Sequence, residues 1–221
     1  MDPMLGAFFG NIAYTAMIAF VVVTALGKLG IQTASFVAIL GAAGLAVALA
    51  FQSSSSNLAA RVLMVTFRPF NVGDFVEAGG VSGRVEETSI FTTTMLTADN
   101  KCVIVPNAAL STGTITNYSA KSTRRVDMVF GVGYDAEIDQ VRNIITKVLN
   151  NDKRVLDEPE PTVEITELAD SSVNFVVRPW VKSENYWAVH FATHETLKKR
   201  FDAAGIYIPY PQADVHLHQV A

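Results

Sequence analysis

The stretch Phe36-Val-Ala-Ile-Leu-Gly-Ala-Ala-Gly-Leu-Ala-Val-Ala-Leu-Ala-Phe51 carries no charge, and small residues recur along it at helical spacing. A helix of this length is roughly 24 Å long, and with Ala34 and Ser35 it approaches a hydrocarbon core of about 30 Å. The stretch therefore fits a membrane-spanning helix. One face carries Gly41, Gly44 and Ala48, and a neighbouring face carries Ala38, Ala42 and Ala46. In lipid, helices associate through close packing of small residues, so two such stripes on one helix suit two flanking copies of itself, which means a ring. A ring presents a third face inward, and Leu45 and Leu49, four apart, fit that place: stacked leucines make a constriction that sheds water. The same stripes also suit an ordinary Ala/Gly-rich helix buried in a membrane bundle, and spacing does not separate the two readings.

Charge divides the rest of the chain. Among the first 60 residues only Asp2 and Lys28 are charged, whereas from Arg61 onward the density is that of a water-exposed protein, with room for two small domains. The net charge of −4 gives no reason to expect nucleic acid. Cys102 is the only cysteine, which excludes an internal disulfide and suits a small apolar residue in a strand. The N-terminal apolar run lacks a basic leader and a small-residue cleavage site, so it is expected to stay on the protein.

Leu5 to Leu26 reads as a first span, uncharged and bulky all round through Ala16–Thr24, which suits an outer, lipid-facing helix ended by Gly27-Lys-Leu-Gly30. Thr33 or Ser35 supplies an N-cap for the second span. After Phe51, Gln52 and Ser53 open a run of polar residues whose hydroxyls can bond preceding carbonyls, and a helix break is expected there. Beyond it Asn57, Arg61 and Arg68 share a face of an amphipathic segment that ends at Pro69 and suits the bilayer surface. The two arginines place this end in the cytoplasm.

From Asn71 the pattern turns to short strands at Asp74–Glu77, Gly83–Glu87, Ile90–Thr97 and Lys101–Val105, with Thr114–Tyr118 as a closing strand: a small antiparallel barrel or curled sheet. Its carboxylates outnumber its cations, against RNA binding. A strand over Arg125–Tyr134, a helix capped by Asp135, strands at Thr162–Glu167 and Val173–Val181, a helix from Asn185 to Ala204 stopped by Gly205, and a strand at Ile206–Ile208 follow a βαββαβ order. The tail Ala213–Gln219 alternates like one more strand, able to pair with its own copies.

Gly30-Ile-Gln-Thr-Ala-Ser35, Leu40-Gly-Ala-Ala-Gly-Leu-Ala-Val47, Ser56-Asn-Leu-Ala-Ala60, Phe67-Arg-Pro-Phe70, Val103-Ile-Val-Pro-Asn107, Phe201-Asp-Ala-Ala-Gly-Ile206 and Pro209-Tyr-Pro-Gln212 together make the chain resemble the small-conductance mechanosensitive channel (MscS) family from about Ala25 to His216. The resemblance implies an α+β membrane protein: a transmembrane and pore-helix region over 1–69, an Sm-like β domain over 70–120, a ferredoxin-like α/β domain over 121–210, and a C-terminal strand over 211–221 that forms an oligomeric barrel. It implies a homoheptamer in the cell's inner membrane, multi-pass, with a cytoplasmic vestibule and side portals, opened by tension to release ions and small solutes on hypo-osmotic shock. Its partners would be its own copies, membrane lipids and the permeating solutes. Three features depart from the family pattern. The family has a membrane helix before Leu5–Leu26, for which this chain begins too late; truncation, a misassigned start or a two-span member would each account for that. Ser53 and Arg61 stand where the family often has glycine, so the resemblance brings no hinge behaviour or desensitisation with it.

His190 and His194, four apart on a helix, and His216 and His218, two apart on a strand, have metal-pair spacing, but without cysteines or a matched acid they read as surface or packing residues. Lys198-Lys-Arg200 reads as a solvated helix face and Lys121, Arg124 and Arg125 as a solvated linker. With no nucleophile–base pair, phosphate loop or metal constellation, neither an enzyme nor a cofactor is expected. The competing class is a membrane-anchored oligomeric scaffold without a conducting pore.

Overall fold

The structure, a computed structural model, describes residues 3–215. The chain divides into two compact units, one of residues 1–69 and 86–114, the other of 70–85 and 115–221.

In the first unit three helices follow one another: α1 (Pro3–Lys28), α2 (Ala34–Ala50) and α3 (Gln52–Phe67). The end of α1 is set by Gly30, whose φ of 79° is open to glycine at little cost. Gly30 N–H donates to the Gly27 carbonyl and Ile31 N–H to that of Leu26, both at 3.1 Å, so the last orphan carbonyls find donors. Thr33 takes the N-cap position of α2 without a side-chain capping bond. Between α2 and α3 the chain bends by 54°. The bend falls at Phe51 and not at the serines: Gln52 and Ser53, the break expected from sequence, are the first helical residues of α3. At its far end α3 stops at Arg68, held in the left-handed region (φ 46°) before Pro69, whose ring disfavours a helical conformation for the residue ahead of it.

Strands β1 (Phe75–Ala78), β2 (Val81–Thr88), β3 (Thr92–Leu96), β4 (Cys102–Pro106) and β5 (Thr116–Asn117) follow in chain order, and the boundary between the units falls within β2. In the first unit, β3 and β4 pair antiparallel from Thr92 opposite Pro106 to Leu96 opposite Cys102. Their turn holds Asn100 at positive φ, and the Asp99 carboxylate, bonded by Lys101 and by the Thr97 hydroxyl, titrates below the ordinary carboxylate range. A short helix that the sequence pattern did not reveal, α4 (Asn107–Ser111), follows β4 directly. In the second unit β1 pairs with β2 on one side and β5 on the other.

The second unit continues with β6 (Thr123–Arg125), β7 (Met128–Val132), α5 (Ile138–Asn151), β8 (Thr162–Leu168), β9 (Val173–Arg178), β10 (Trp180–Lys182) and α6 (Tyr186–Ala203). The sheet runs β7-β9-β8, all antiparallel, while β6 and β10 make a separate two-stranded ribbon. Pro179 splits the single strand expected over Val173–Val181, because it has no N–H to give to a ladder. The expected strand at Ile206–Ile208 is reduced to one ladder-like bond, Gly133 N–H to the Tyr207 carbonyl at 2.9 Å, with Pro209 and Pro211 following. The cap of α5 is Glu137, whose carboxylate accepts from Asp139 N–H and Gln140 N–H; Asp135, expected in that role, turns back over Gly133, its Oδ1 2.5 Å from where a Cβ would stand. Val141, Ile145 and Leu149 of α5 and Val189, Leu197 and Phe201 of α6 are buried with Phe175 of β9 in one apolar core. Beyond α5, Arg154 grips the Asp152 carboxylate at 2.6 Å and holds it well below the ordinary carboxylate range. Gly205, at φ 69°, ends α6 as expected, with Ile206 N–H donating back to the Phe201 carbonyl. Residues 211–215 carry no strand, and the rest of the expected tail strand, with His216 and His218, lies outside the described residues.

Candidate pore helix and its link to the β strands

Nothing in α2 is charged and, within one chain, nothing in it is buried. At 3.6 residues per turn, Leu45 and Leu49 share one direction with Ala38, flanked on one side by Gly41, Gly44 and Ala48 and on the other by Ala42 and Ala46. The bulky residues Phe36, Leu40 and Val47 lie on the opposite side, with Ile39 beside Ala46. Leu45 and Leu49 are 62% and 60% exposed, so the largest side chains of this face have no partner in their own chain. A Cβ built on Gly41 or on Gly44 would meet nothing within 4 Å. Packing within the chain therefore does not explain the glycines.

Along α1, Gly10–Lys28 is long and apolar enough to cross a bilayer, and its side chains, including Tyr14, Met17, Phe20 and Val21, are exposed. The bent pair of α2 and α3 passes the same test as one broken span. With 17 residues, α2 itself is about 26 Å long.

From Phe51 onward α3 becomes two-faced. Ala60 and Met64 are buried on the side that packs against α4, while Leu58, Val62, Leu63, Val65 and Phe67 stay exposed. Asn57 ties the two helices: its Oδ1 accepts from Ala108 N–H at 2.9 Å, an orphan donor of the first turn of α4, and its Nδ2 donates to the Ser53 carbonyl at 2.9 Å. One residue earlier Asn107 is fully buried and fully bonded. Its Oδ1 accepts from the Thr93 hydroxyl at 2.8 Å, its Nδ2 donates to the Ser89 and Ile90 carbonyls, and its N–H donates to Phe91. Leaving such a group unsatisfied costs about 1–3 kcal/mol, so Asn107 locks α4 onto the start of β3, and Asn57 locks α3 onto α4. The sequence marks Asn57 only as part of a polar face and Asn107 only as the end of one stretch that carries the family resemblance. The word Pro-Asn-Ala-Ala-Leu was the available signal.

His190 and His194 do come together, with ring centroids 4.5 Å apart. His194 Nδ1 lies 2.8 Å from the His190 carbonyl, and burial, then the neighbouring His194, lowers the pKa of His190. No cluster of three or more metal-ligating side chains occurs among the described residues.

Three family models match in succession: "Mechanosensitive ion channel, transmembrane helices 2/3" over residues 11–52, "Mechanosensitive ion channel, beta-domain" over 53–120, and "Mechanosensitive ion channel MscS, C-terminal" over 126–208. A small-conductance mechanosensitive channel of Edwardsiella ictaluri is 48% identical over 219 residues, covering 99% of this chain and 77% of the relative. An MscS family protein of Synechocystis is 45% identical over 219 residues, 99% of this chain and 74% of the relative. The crystal structure of Helicobacter pylori MscS in its closed state superposes with a TM-score of 0.92 at 30% identity, over 99% of this chain and 87% of that one.

Proposed function

Because this chain belongs to the MscS family of mechanosensitive ion channels, we propose that it assembles as a homoheptamer around α2 and opens under membrane tension, passing ions and small solutes on hypo-osmotic shock. The observation that carries this reading is the bare surface of α2, where every residue is exposed in one chain and two leucines stand between two small-residue stripes. Seven copies side by side bury the stripes against each other and turn Leu45 and Leu49 inward as a collar that excludes water. The family is one of channels and not of enzymes, and its members are membrane proteins.

Tension favours whichever state covers more area in the plane of the bilayer. In this reading α1 meets the lipid, outward tilt of α2 widens the collar, and the corner at Phe51, next to Gln52 and Ser53, passes the tilt to α3. Asn57 hands it on to α4 and the β strands. Residues 1–69 form the membrane region, 70–120 the Sm-like domain and 121–210 the α/β domain; the last two lie in the cytoplasm, beneath the inner membrane.

Patch recordings of the purified chain in liposomes test the proposal directly. Stepwise currents that appear with suction and vanish on release are expected. A particle without a central opening, or a reconstituted membrane that stays silent up to rupture, overturns it.

A further inference from the structure

Between β5 and β7 the chain runs through Tyr118–Arg125, read from sequence as a solvated linker. In the structure both of its sides are tied within the second unit. Tyr118 N–H donates to the Phe75 carbonyl at 3.0 Å, and the Tyr118 hydroxyl donates to Glu77 Oε2 at 2.7 Å, which fixes this end to β1. Hydrogen bonded to that carboxylate, the phenol titrates above its ordinary range and stays neutral. At the other end Ser183 N–H donates to the Ser122 carbonyl at 2.9 Å and its hydroxyl to the Lys121 carbonyl at 2.6 Å, while Thr123–Arg125 pair with Trp180–Lys182. One side chain touches both ends. The Arg124 guanidinium carbon lies 4.7 Å from the centre of the Tyr118 ring and 4.1 Å from that of Tyr186, the first residue of α6. Each distance is inside the range of about 6 Å at which a cation is held by a ring face, and a planar guanidinium can stack on both at once.

We propose that Arg124, clamped between Tyr118 and Tyr186, is a positioning residue that splices β1 and β5 to the α/β domain so that they travel as one body when the channel opens. The inference rests on the tension-gated reading above and adds where the subunit does not flex. A plain linker would let the α/β domain lag behind the sheet edge. Here a strand ribbon, four backbone or hydroxyl bonds and a doubly stacked cation close that freedom, and residues 70–85 accordingly fall into one compact unit with 115–221. Lysine keeps the charge but loses the flat double stack, and methionine keeps the length and loses both.

The test uses the full chain in liposomes. Arg124→Met and Tyr186→Leu are expected to shift the opening tension by the same amount, with no further shift when combined, while Tyr186→Phe, which keeps the ring, opens at the original tension. Hydrogen exchange at the Tyr118 and Ser183 amides is expected to rise about tenfold in Arg124→Met, the loss of one stacked cation, with the amides of α5 and β9 unchanged. Opening at the original tension in Arg124→Met despite faster exchange, or unchanged exchange, overturns the inference. In a Cys102→Ser background, Tyr118→Cys with Tyr186→Cys can be bridged by a bifunctional thiol reagent. A bridged channel that returns to the opening tension of the unmodified chain supports a rigid splice, and one that opens like the unbridged double variant, or that bridging holds shut, overturns it. Currents from the unmodified chain in the same patches decide the tension-gated reading separately, and the exchange arm stands without them.

Discussion

Helices α2 and α5 are of similar length and solve opposite problems. In α5, Val141, Ile145 and Leu149 recur at helical spacing and are at most 1% exposed, so the chain itself covers the apolar face. In α2 no residue is buried, though its composition is far more apolar. A soluble helix pays its conformational entropy through a core in the same subunit, whereas α2 has no such core in its own chain and, on the function proposed above, would draw on lipid and on other copies. Substitutions in α5 and its neighbours should therefore act on the folding of one chain, and those in α2 on assembly and opening.

The largest expected effect is on the folded side of that contrast. Phe175→Ala empties a fully buried site facing α5 and α6 and should cost about 3–5 kcal/mol, read as a lower denaturant midpoint for the water-exposed part. If the same change left that midpoint alone, the core described here would be wrong. Next comes the collar: Leu45→Ser replaces an apolar side chain whose burial is worth about 1.5–3 kcal/mol per copy, so the channel should open at lower tension in patch recordings, and an unchanged threshold counts against Leu45 as the gate. Gly44→Leu sharpens the comparison most, because a Cβ there meets nothing within the chain. Overpacking of about 1–3 kcal/mol per contact should appear only between copies, as loss of the oligomer in cross-linking or light scattering with the midpoint of the water-exposed part unmoved. Ala46→Leu should behave alike.

The smallest effect is electrostatic. Arg154, through hydrogen bonds first, depresses the pKa of Asp152, so the folded chain gains stability above the unfolded carboxylate's pKa and loses it as pH falls through the lower folded value. The pair is partly exposed and worth about 0.5 kcal/mol. Asp152→Asn should flatten the acid limb of a denaturation series below pH of about 4 by that amount and leave pH 7 opening untouched; an unaltered limb would show that the pair does not contribute.

Charge-free length made α1 and α2 legible from the sequence, and Gly30 and Gly205 announced two helix ends because a left-handed residue closes each. The stripes of α2 were readable for the same reason, since spacing on a helix is a local property. What was misplaced did not follow from helical or strand periodicity. The bend sits at Phe51, ahead of a serine run that simply continues as helix. Glu137 caps α5 in place of Asp135, which stands two residues ahead of the cap with its carboxylate over Gly133. Five residues of α4 carry too short a period to register, and their reason for being helical is Asn107, which draws on Thr93, Ser89 and Ile90 far back in the chain. Arg124 looked like one of three solvated cations because its two aromatic partners are separated in sequence and meet only in the fold.

The corner at Phe51 has a geometric consequence of its own. With 16 residues, α3 is an arm about 24 Å long hinged at one end. A swing of only 5° about that hinge would carry the Phe67 end through roughly 2 Å, more than the slack in a single hydrogen bond. The Asn57–Ala108 bond sits a third of the way along the arm, where the same swing amounts to well under 1 Å by proportion, so this bond can outlast a small swing that the packing of Ala60 and Met64, farther along, would have to follow.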